Sequence, residues 1–483
     1  GAAFLAYVTD KLETRIAHIS QSILEGQKDI EGMHEYYWEN YTEMDQYGYE
    51  NFDNQQALLH QINANEQQIH LRKRFRKMLD SPFFGRVDFV FEGDEEPEIF
   101  YIGIGNFAEE AGHTPLVYDW RAPVSGLFYD YDKGPASYQA PLGTICGEIA
   151  SKWQYKIRNG RMIYQFESDV KIDDEILMAE LGSGGSTALK NIVRTIQKEQ
   201  NQIIRNEKAD ILLIQGVAGS GKTSIALHRI AFLLYRLKNR LSAQNITILS
   251  PNKVFADYIS NVLPELGEET VPETGMEQIL SEVLNHKYKY FSFFEQVNEL
   301  LTKPTPDFIE RIEYKSSFDF IASLDRFILY IENHYFRAED VKLTKHITVP
   351  AEFIEEQFHR FNRYPMRQRF EAMTDYILDM MKVQYTFTVT TAERNFLKKE
   401  MKRMFAGNND LQVYKDFFAW MDKPELFKMR KNRTLEYADL APLAYLHIAL
   451  EGGTKNYVKH LLIDEMQDYS PIQYKVMQKL FPC

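Results

Sequence analysis

Apolar residues recur at helical spacing in two long stretches near the N-terminus. In the first stretch they are three, four or seven positions apart: Val8, Leu12, Ile16, Ile19, Ile23, Ile30 and Met33. The second stretch follows a similar pattern before Pro82: Leu58, Leu59, Ile62, Ile69, Phe75 and Met78. Such periodicity predicts amphipathic helices that pack along a common seam, and proline ends the second one. We therefore expect residues 1–82 to form an antiparallel coiled-coil hairpin.

The turn of this hairpin is acidic. Residues 38–54 hold five carboxylates and neither lysine nor arginine; the carboxylates belong to Glu39, Glu43, Asp45, Glu50 and Asp53. Charge patterning alone leaves two interpretations open, because an acidic run at a turn is often only a solvated loop. The alternative is an acidic tip with a function of its own.

The pattern changes after Pro82 to short runs of β-branched and aromatic residues that Gly, Pro and Asp interrupt. Five of these runs predict strands, at residues 87–91, 99–105, 116–120, 127–131 and 162–166. We assign residues 83–181 to a small β-rich domain. The Gly- and Ser-rich residues 182–186 have the composition of a flexible joint, either natural or engineered.

Three short, mainly apolar runs follow, at residues 211–214, 246–249 and 461–463. A strand, a helix and a second strand at this spacing predict a parallel sheet. The stretch between the second and third runs is too long for an ordinary loop, and its apolar residues have helical spacing. We therefore expect an α/β domain made of residues 187–262 and 438–483. A mostly helical insertion, residues 263–437, would interrupt it.

Composition narrows the class of protein. The 483 residues include 56 Lys and Arg against 69 Asp and Glu, so the formal net charge is −13. A protein that simply coats DNA presents a basic surface, and this balance argues against that class. Two cysteines, Cys146 and Cys483, are too few for a disulfide framework. No apolar run approaches the roughly 18 residues of a membrane span, and Asp10 and Lys11 do not suit a signal peptide. We expect a soluble cytoplasmic protein.

The strongest chemical motif is G-x-x-x-x-G-K-[ST], directly after the predicted strand at residues 211–214. In such a loop the glycines let backbone N–H groups converge on phosphate oxygens, and the next helix adds the positive end of its dipole. Lys222 supplies a positive charge, and Thr223 offers a hydroxyl ligand to Mg²⁺. The predicted nucleotide-binding residues are Gly216, Gly219, Ser220, Gly221, Lys222, Thr223 and Ser224.

Two carboxylates follow the third apolar run. Asp464 and Glu465 stand immediately after residues 461–463, where a parallel sheet would deliver them beside the phosphates. There Asp464 would hold Mg²⁺ through water, and Glu465 would orient or deprotonate the attacking water. An Asp-Glu pair alone is weak evidence, but the P-loop and the preceding strand give it the required context.

These motifs resemble those of UvrD/Rep-type superfamily 1 helicases. Residues 462–468 (LIDEMQD) resemble the D-E-x-Q-D form of their Walker B motif, and residues 196–200 (IQKEQ) resemble their Q motif. The resemblance implies a RecA-like parallel sheet in a P-loop NTPase, with ATP and Mg²⁺ as cofactors. It further implies that Gln200 reads the adenine edge and that Gln467 senses the γ-phosphate. The implied catalytic residues are Lys222, Glu465 and Gln467. The implied Mg²⁺ ligands are Thr223 and Asp464.

Further segments narrow the resemblance to the HelD family: residues 117–123 (VYDWRAP), 215–236, 249–252 and 257–264. Its members are bacterial helicase-like ATPases that bind RNA polymerase and free it from nucleic acid. The resemblance implies that the hairpin, residues 1–82, enters the secondary channel of the polymerase. It also implies that the insertion, residues 263–437, enters the main, DNA-holding channel. We expect a monomer that makes at most weak contact with DNA and none with membranes.

The chain departs from UvrD-like helicases at several positions. Ser250 and Pro251 precede Asn252 and Lys253, where those enzymes usually carry a base-stacking aromatic residue worth roughly 1–3 kcal/mol per base. Their T-F-H-S type motif is missing, and Ser224 occupies the position of an arginine that contacts adenine. These differences argue against tracking along a nucleic-acid strand.

The sequence stops at Cys483, before any counterpart of motifs III to VI. We therefore expect the second RecA-like domain and its arginine fingers to be absent from this chain, which should bind ATP but hydrolyse it poorly. The leading function is ATP-dependent remodelling of RNA polymerase. The alternative is a UvrD-type helicase or translocase acting directly on DNA. A third hypothesis, a polymerase-binding protein with a decayed nucleotide site, is disfavoured. The five residues that carry the chemistry of the site are all present: Lys222, Thr223, Asp464, Glu465 and Gln467.

Overall fold

The computed structural model describes residues 1–39, 49–110, 112–167, 198–217, 219–238, 240–251, 263, 266, 268–385 and 389–482. Backbone contacts divide the chain into two compact units. Unit 1 comprises Gly1–Arg240 with Ile259–Thr270, and unit 2 comprises Leu241–Tyr258 with Val271–Cys483. Within the described residues, no helix is both long enough and apolar enough to cross a membrane.

Unit 1 begins with two long helices, α1 (Ala2–Glu39) and α2 (Tyr49–Asp80). Their buried apolar residues are Leu5, Val8, Leu12, Ile19, Ile23, Phe75 and Met78. Gly26 of α1 lies against the side chain of Asn65 in α2, since a Cβ atom at Gly26 would lie 3.0 Å from Oδ1 of Asn65. One turn along, Gln61 donates a hydrogen bond of 3.4 Å to Asp29. Because the partner numbers fall as the α1 numbers rise, the two helices run antiparallel.

The acidic turn between these helices lies largely outside the described residues. This applies to Glu43 and Asp45, and to the side chains of Glu39 and Glu50. Asp53 lies within α2. The acidic tip therefore stays a prediction.

A six-stranded sheet follows, formed by β1 (Gly85–Phe91), β2 (Glu98–Gly103), β3 (Tyr118–Asp119), β4 (Gly134–Ala140), β5 (Gly143–Arg158) and β6 (Arg161–Glu167). The strand order is β3-β2-β1-β5-β4, with β6 paired to β5. Paired strands are antiparallel, except that β2 and β3 are parallel. Four of the five predicted strands are confirmed by β1, β2, β3 and β6.

The prediction of a strand at residues 127–131 is wrong, because that segment forms the short helix α3 (Gly126–Asp130). Leu127, Phe128 and Tyr129 are all buried, whereas a half-buried strand would alternate buried and exposed positions. The chain is already turning before α3, since the Leu127 amide donates to the Val124 carbonyl over 3.1 Å.

Aromatic contacts anchor both long helices to this sheet. Phe4 near the start of α1 stacks on Tyr101, with 3.7 Å between the ring centroids. Phe75 near the end of α2 meets the ring of Phe107 edge-on, with centroids 5.4 Å apart. Burial of a phenylalanine such as Phe75 stabilises a fold by about 2–3 kcal/mol. The helices and the sheet of unit 1 therefore share one apolar core.

Two further helices of unit 1 carry predicted site residues, α4 (Lys198–Ile204) and α5 (Lys222–Arg236). The prediction of a strand at residues 211–214 between them is wrong, because the structure forms no strand there. Ile211 and Leu213 are 85% and 62% exposed. An apolar strand is buried only when neighbouring strands flank it, and none of the described residues pairs with this segment.

Unit 2 contains a three-stranded parallel sheet in the order β11-β7-β8, formed by β7 (Ile246–Leu249), β8 (Glu273–Thr274) and β11 (His460–Ile463). The register places Leu461 opposite Thr247 and Ile463 opposite Leu249. The prediction that residues 246–249 and 461–463 are strands of one parallel sheet is therefore confirmed. Strand β8 was not predicted, because its two residues are too few to show a pattern.

The rest of unit 2 is mostly helical. Its helices are α6 (Met276–Val283), α7 (Phe293–Thr302), α8 (Pro306–Lys315), α9 (Phe318–His334), α10 (Ala351–Arg360), α11 (Arg369–Tyr385), α12 (Thr391–Arg403), α13 (Asp410–Trp420), α14 (Tyr437–Glu451) and α15 (Pro471–Leu480). A short antiparallel pair, β9 (Val341–Lys342) and β10 (Thr348–Val349), separates α9 from α10. Phenylalanines from several helices, including Phe320, Phe370 and Phe417, form the centre of the core.

Candidate nucleotide-binding site

Backbone conformation or limited space explains why glycine occupies three positions of the P-loop. Gly219 and Gly221 adopt left-handed backbone angles, with φ of 79° and 80°. A side chain at either position would be strained, because L-residues rarely occupy this region. At Gly216 the obstacle is space, since a Cβ atom would lie 2.7 Å from Oγ of Ser220. Residue 218 lies outside the described residues.

This loop leads directly into α5, whose first residue is Lys222. Nζ of Lys222 donates to the carbonyl oxygens of Gly216 and Val217, each over 3.1 Å. The loop is thus curled around the ammonium group. The first turn of a helix leaves backbone N–H groups without intrahelical partners, and the helix dipole makes this end positive. The arrangement fits an anionic, phosphate-bearing ligand.

Thr223 and Ser224 occupy the next two positions of α5. Ser224 is buried, and its Oγ lies 3.4 Å from Nδ1 of His228, one turn further along. The His228 ring also bonds to the backbone carbonyl of Ser224 over 2.6 Å. Burial lowers the pKa of His228 to about 4, so the imidazole is neutral at physiological pH. Ser224 is therefore packed against the interior of unit 1.

Gln200 lies in α4, and the P-loop helix α5 holds the end of α4. Nη1 of Arg229 in α5 donates to the carbonyl oxygens of Ile203 and Ile204 over 3.0 and 3.3 Å. These are carbonyls that the last turn of a helix leaves unbonded. Unit 1 therefore brings the helix of Gln200 against the helix of Lys222. Residues 196 and 197 of the predicted Q motif lie outside the described residues.

The predicted carboxylates lie in unit 2, at the carboxyl end of β11. The Asp464 amide donates to the Leu249 carbonyl over 2.9 Å, which extends the pairing of β11 with β7 by one bond. Asp464 therefore leaves the sheet at a defined point. Burial and then the Asp464 charge raise the pKa of the Tyr469 hydroxyl. That hydroxyl is buried and has no hydrogen-bond partner among the described residues.

Glu465 has a strained backbone and a side-chain partner. Its φ of 47° and ψ of 51° are left-handed, which is rare for a residue other than Gly, Asn or Asp. Nε2 of Gln467 donates to Oε2 of Glu465 over 2.6 Å. The Tyr474 hydroxyl donates to the Met466 carbonyl over 2.6 Å and holds this turn against α15. Glu465 and Gln467, predicted separately, are thus brought together.

The residues predicted for Mg²⁺ belong to different units, with Thr223 in unit 1 and Asp464 in unit 2. Among the described residues, no three His, Cys, Asp or Glu side chains form a group that could hold a metal. Such a group is unnecessary for Mg²⁺, which usually keeps several waters and binds one or two protein oxygens together with substrate phosphates. A hydroxyl and a carboxylate are oxygen donors of the kind that Mg²⁺ takes.

Sequence reasoning missed Arg229, His228 and Tyr469. Each is identified by its contacts rather than by its position in a motif. A basic residue seven positions after the P-loop lysine was visible, but nothing local indicated that it would cap a second helix. The only sequence signal near His228 was the one-turn spacing from Ser224.

Comparison with known families covers most of the chain. Residues 2–181 match the model for the N-terminal domain of DNA helicase IV, HelD. Residues 196–482 match the model for the UvrD/REP helicase N-terminal domain. Among curated proteins, an ATP-dependent helicase/nuclease subunit from Lactobacillus acidophilus is 26% identical over 215 residues. That alignment covers 42% of this chain and 17% of the relative, so the chain spans only a small part of that protein.

Proposed function

The chain belongs to the UvrD/REP helicase family as a HelD-type, superfamily 1 helicase-like protein, and on this premise we propose that it is an ATP-dependent factor that binds RNA polymerase and releases it from nucleic acid. Such a factor would assist polymerase recycling. The observation that carries the proposal is the union of a HelD N-terminal domain with a P-loop in one chain. The same unit holds both the long antiparallel helices and the phosphate-binding turn.

The nucleotide half of the proposal rests on the P-loop and on the turn after β11. Bound Mg-ATP would supply the phosphoanhydride bond whose hydrolysis drives the cycle. Lys222 would hold the phosphates, while Thr223 and Asp464 would serve the Mg²⁺. Glu465 would orient the attacking water, and Gln467, which is bonded to Glu465, would sense the γ-phosphate. Gln200 would read the adenine edge.

The polymerase half of the proposal rests on reach and charge. The 38 residues of α1 span about 57 Å at 1.5 Å per residue. Aromatic contacts anchor the other end of this pair of helices to the sheet, so the acidic turn would be carried far from the body. A basic, metal-containing channel would attract such a tip, and the secondary channel of RNA polymerase is the proposed destination. The insertion, residues 263–437, is the proposed occupant of the main channel.

The test is release of polymerase from stalled elongation complexes on immobilised DNA. The chain should co-purify with core RNA polymerase and, with Mg-ATP, raise the fraction of polymerase in the supernatant. Lys222→Ala should keep polymerase binding, because the hairpin of residues 1–82 is intact, and change the nucleotide dependence of release. Failure to bind polymerase at low salt would overturn the proposal.

A second candidate function, direct unwinding of DNA, is favoured by the names of the matched family and relative, both of which are helicases. The missing aromatic residue ahead of Asn252 weighs against it. A duplex with a single-stranded tail separates the two. Strand separation by the chain alone with ATP would favour the helicase, whereas release of polymerase without strand separation favours the remodelling factor.

A further inference from the structure

A buried ionic cluster in unit 1 lies between the N-terminal sheet and the helices of the nucleotide site. Asp119 at the end of β3 is 1% exposed, and Arg121 is 3% exposed. Arg121 donates from Nε and Nη2 to the two carboxylate oxygens of Asp119 over 2.8 and 2.7 Å. Such a two-pronged contact fixes the plane of the guanidinium. Although burial opposes the charged form, Asp119 and Glu268 hold the pKa of the Arg121 guanidinium above its ordinary value.

The remaining nitrogen of Arg121 reaches the P-loop helix. Nη1 donates to the Ala231 carbonyl in α5 over 3.4 Å and forms an ion pair with Glu268. The guanidinium carbon lies 4.8 Å from the ring centroid of Tyr235, also in α5. The Tyr235 hydroxyl accepts a hydrogen bond of 3.1 Å from Asn106, beside β3. The loop after β3 therefore holds α5 at two successive turns.

The residue between Asp119 and Arg121 contacts α5 closer to the P-loop. Trp120 is fully buried, and its ring centroid lies 5.7 Å from that of His228. His228 is in turn bonded to Ser224, which directly follows Thr223. A displacement of the loop after β3 would thus be transmitted to α5 at a point one turn from the phosphate-binding residues.

The same loop holds α4. Arg205, at the end of α4, donates to the carbonyl oxygens of Trp120, Arg121 and Ala122 over 2.7, 3.4 and 3.3 Å. Its Nε donates to Oδ1 of Asn201 within α4 over 3.1 Å. Since α5 also caps α4 through Arg229, three elements share one set of buried contacts. These elements are the loop after β3, α4 and α5.

We infer that Arg121 and Asp119 are positioning residues for the nucleotide site, which set the placement of the adenine-side helix α4 relative to the phosphate-side helix α5. This inference rests on the proposed function, since it assumes that Gln200 and Lys222 bind one nucleotide. The loop after β3 belongs to the sheet on which the long helices are anchored. A force on the long helices would therefore be transmitted through these contacts to both α4 and α5.

A purely structural role would have a different consequence. If the cluster only stabilised unit 1, its loss would weaken every phosphate ligand equally, because the P-loop would be formed less often. If it sets α4 against α5, its loss should weaken ligands that need both helices more than ligands that need the P-loop alone. Mg-ATP needs both helices, whereas inorganic tripolyphosphate needs only the P-loop.

The experiment measures the dissociation constants of Mg-ATP and Mg-tripolyphosphate by calorimetry for the chain and its variants. Arg121→Lys keeps the charge but loses the two-pronged contact, and it should weaken Mg-ATP by about tenfold while changing tripolyphosphate by less than about threefold. Gln200→Ala should produce the same selective loss. The matched control is Arg236→Gln, because Arg236 is also in α5 and pairs with Glu207 only at the surface. This control should leave both constants unchanged.

Arg205→Lys serves as a second variant if Arg121→Lys fails to fold, as judged by circular dichroism. It removes part of the carbonyl contacts without leaving a buried carboxylate unpaired, and it should show the same selective loss of Mg-ATP. Equal weakening of both ligands, or no weakening of either, would overturn the inference. If the unsubstituted chain binds no nucleotide, the proposed function fails as well. If that chain binds nucleotide but no polymerase, the proposed function fails, and the comparison of Mg-ATP with Mg-tripolyphosphate in the variants still decides the inference.

Discussion

Gln467 donates a hydrogen bond of 2.6 Å to Glu465, which itself holds a left-handed backbone conformation. A non-glycine residue in this region costs about 1–2 kcal/mol relative to its ordinary conformations. The turn is secured on its far side, where Tyr474 bonds to the Met466 carbonyl. The strain therefore places the Glu465 carboxylate beside the Gln467 amide at the end of β11.

The first prediction follows from this strain. Glu465→Gly should raise the free energy of unfolding by about 1 kcal/mol, because glycine adopts the left-handed conformation without penalty. It should also abolish the slow ATP turnover that we expect of this chain, because it removes the carboxylate. The control is Met466→Gly, since Met466 has no positive φ; that change should lower stability. Denaturant unfolding and phosphate release measure the two effects. A loss of stability in Glu465→Gly would contradict the assigned strain.

The second prediction concerns Lys222. Lys222→Ala should weaken Mg-ATP and Mg-ADP binding by at least about a hundredfold, because the loop loses the charge around which it is curled. Calorimetry measures the loss. Lys238→Ala removes an exposed lysine outside the P-loop in the same unit and should leave both affinities unchanged. Nucleotide affinity that is equal in Lys222→Ala and the unsubstituted chain would remove the P-loop from the proposed site.

The P-loop and the carboxylates after β11 could be predicted from sequence because each motif is local. The chemistry of each motif depends on residues within eight positions of one another. In the P-loop, the choice of glycine at Gly219 and Gly221 itself indicates left-handed backbone angles. Glu465 shows the limit of this reasoning. Nothing in its identity signals a positive φ, which is imposed by the strand before it and by the Tyr474 contact after it.

The buried cluster around Arg121 could not be predicted for a different reason. Its partners Ala231 and Glu268 lie 110 and 147 positions away along the chain. Sequence spacing carries no information about such contacts unless the fold is already known. The strand predicted at residues 211–214 was wrong because the prediction used only the local pattern. Its apolar run is typical of a buried strand, but a strand also requires neighbours, and these are not specified within the run.

The third prediction concerns the acidic turn. Replacing its five acids, Glu39, Glu43, Asp45, Glu50 and Asp53, by Asn or Gln should leave helicity unchanged by circular dichroism. Polymerase affinity should fall by about tenfold and become less sensitive to salt, because attraction to a basic channel is lost.

The matched control changes five exposed acids in and after the β1–β2 connection: Glu92, Asp94, Glu95, Glu96 and Glu98. It alters net charge equally and should leave polymerase affinity unchanged. Equal affinity in the tip variant and the unsubstituted chain, at low and moderate salt, would make the acidic turn a solvated loop.

The last prediction is a pH dependence of stability that originates at His228. Burial lowers its pKa in the folded chain from 6.5 to about 4, so the unfolded chain binds the proton more readily between these values. The contribution of the buried neutral His228 to the free energy of unfolding should therefore be fully present above about pH 6.5. As the pH drops towards 4, the free energy of unfolding should fall by at most about 3 kcal/mol. His228→Gln removes this titration, so its stability relative to the unsubstituted chain should rise as the pH falls from 7 to 5. His60→Gln, which changes an exposed histidine in the same unit, is the matched control. Parallel pH profiles for His228→Gln and the unsubstituted chain would mean that His228 is not buried as a neutral imidazole beside Trp120.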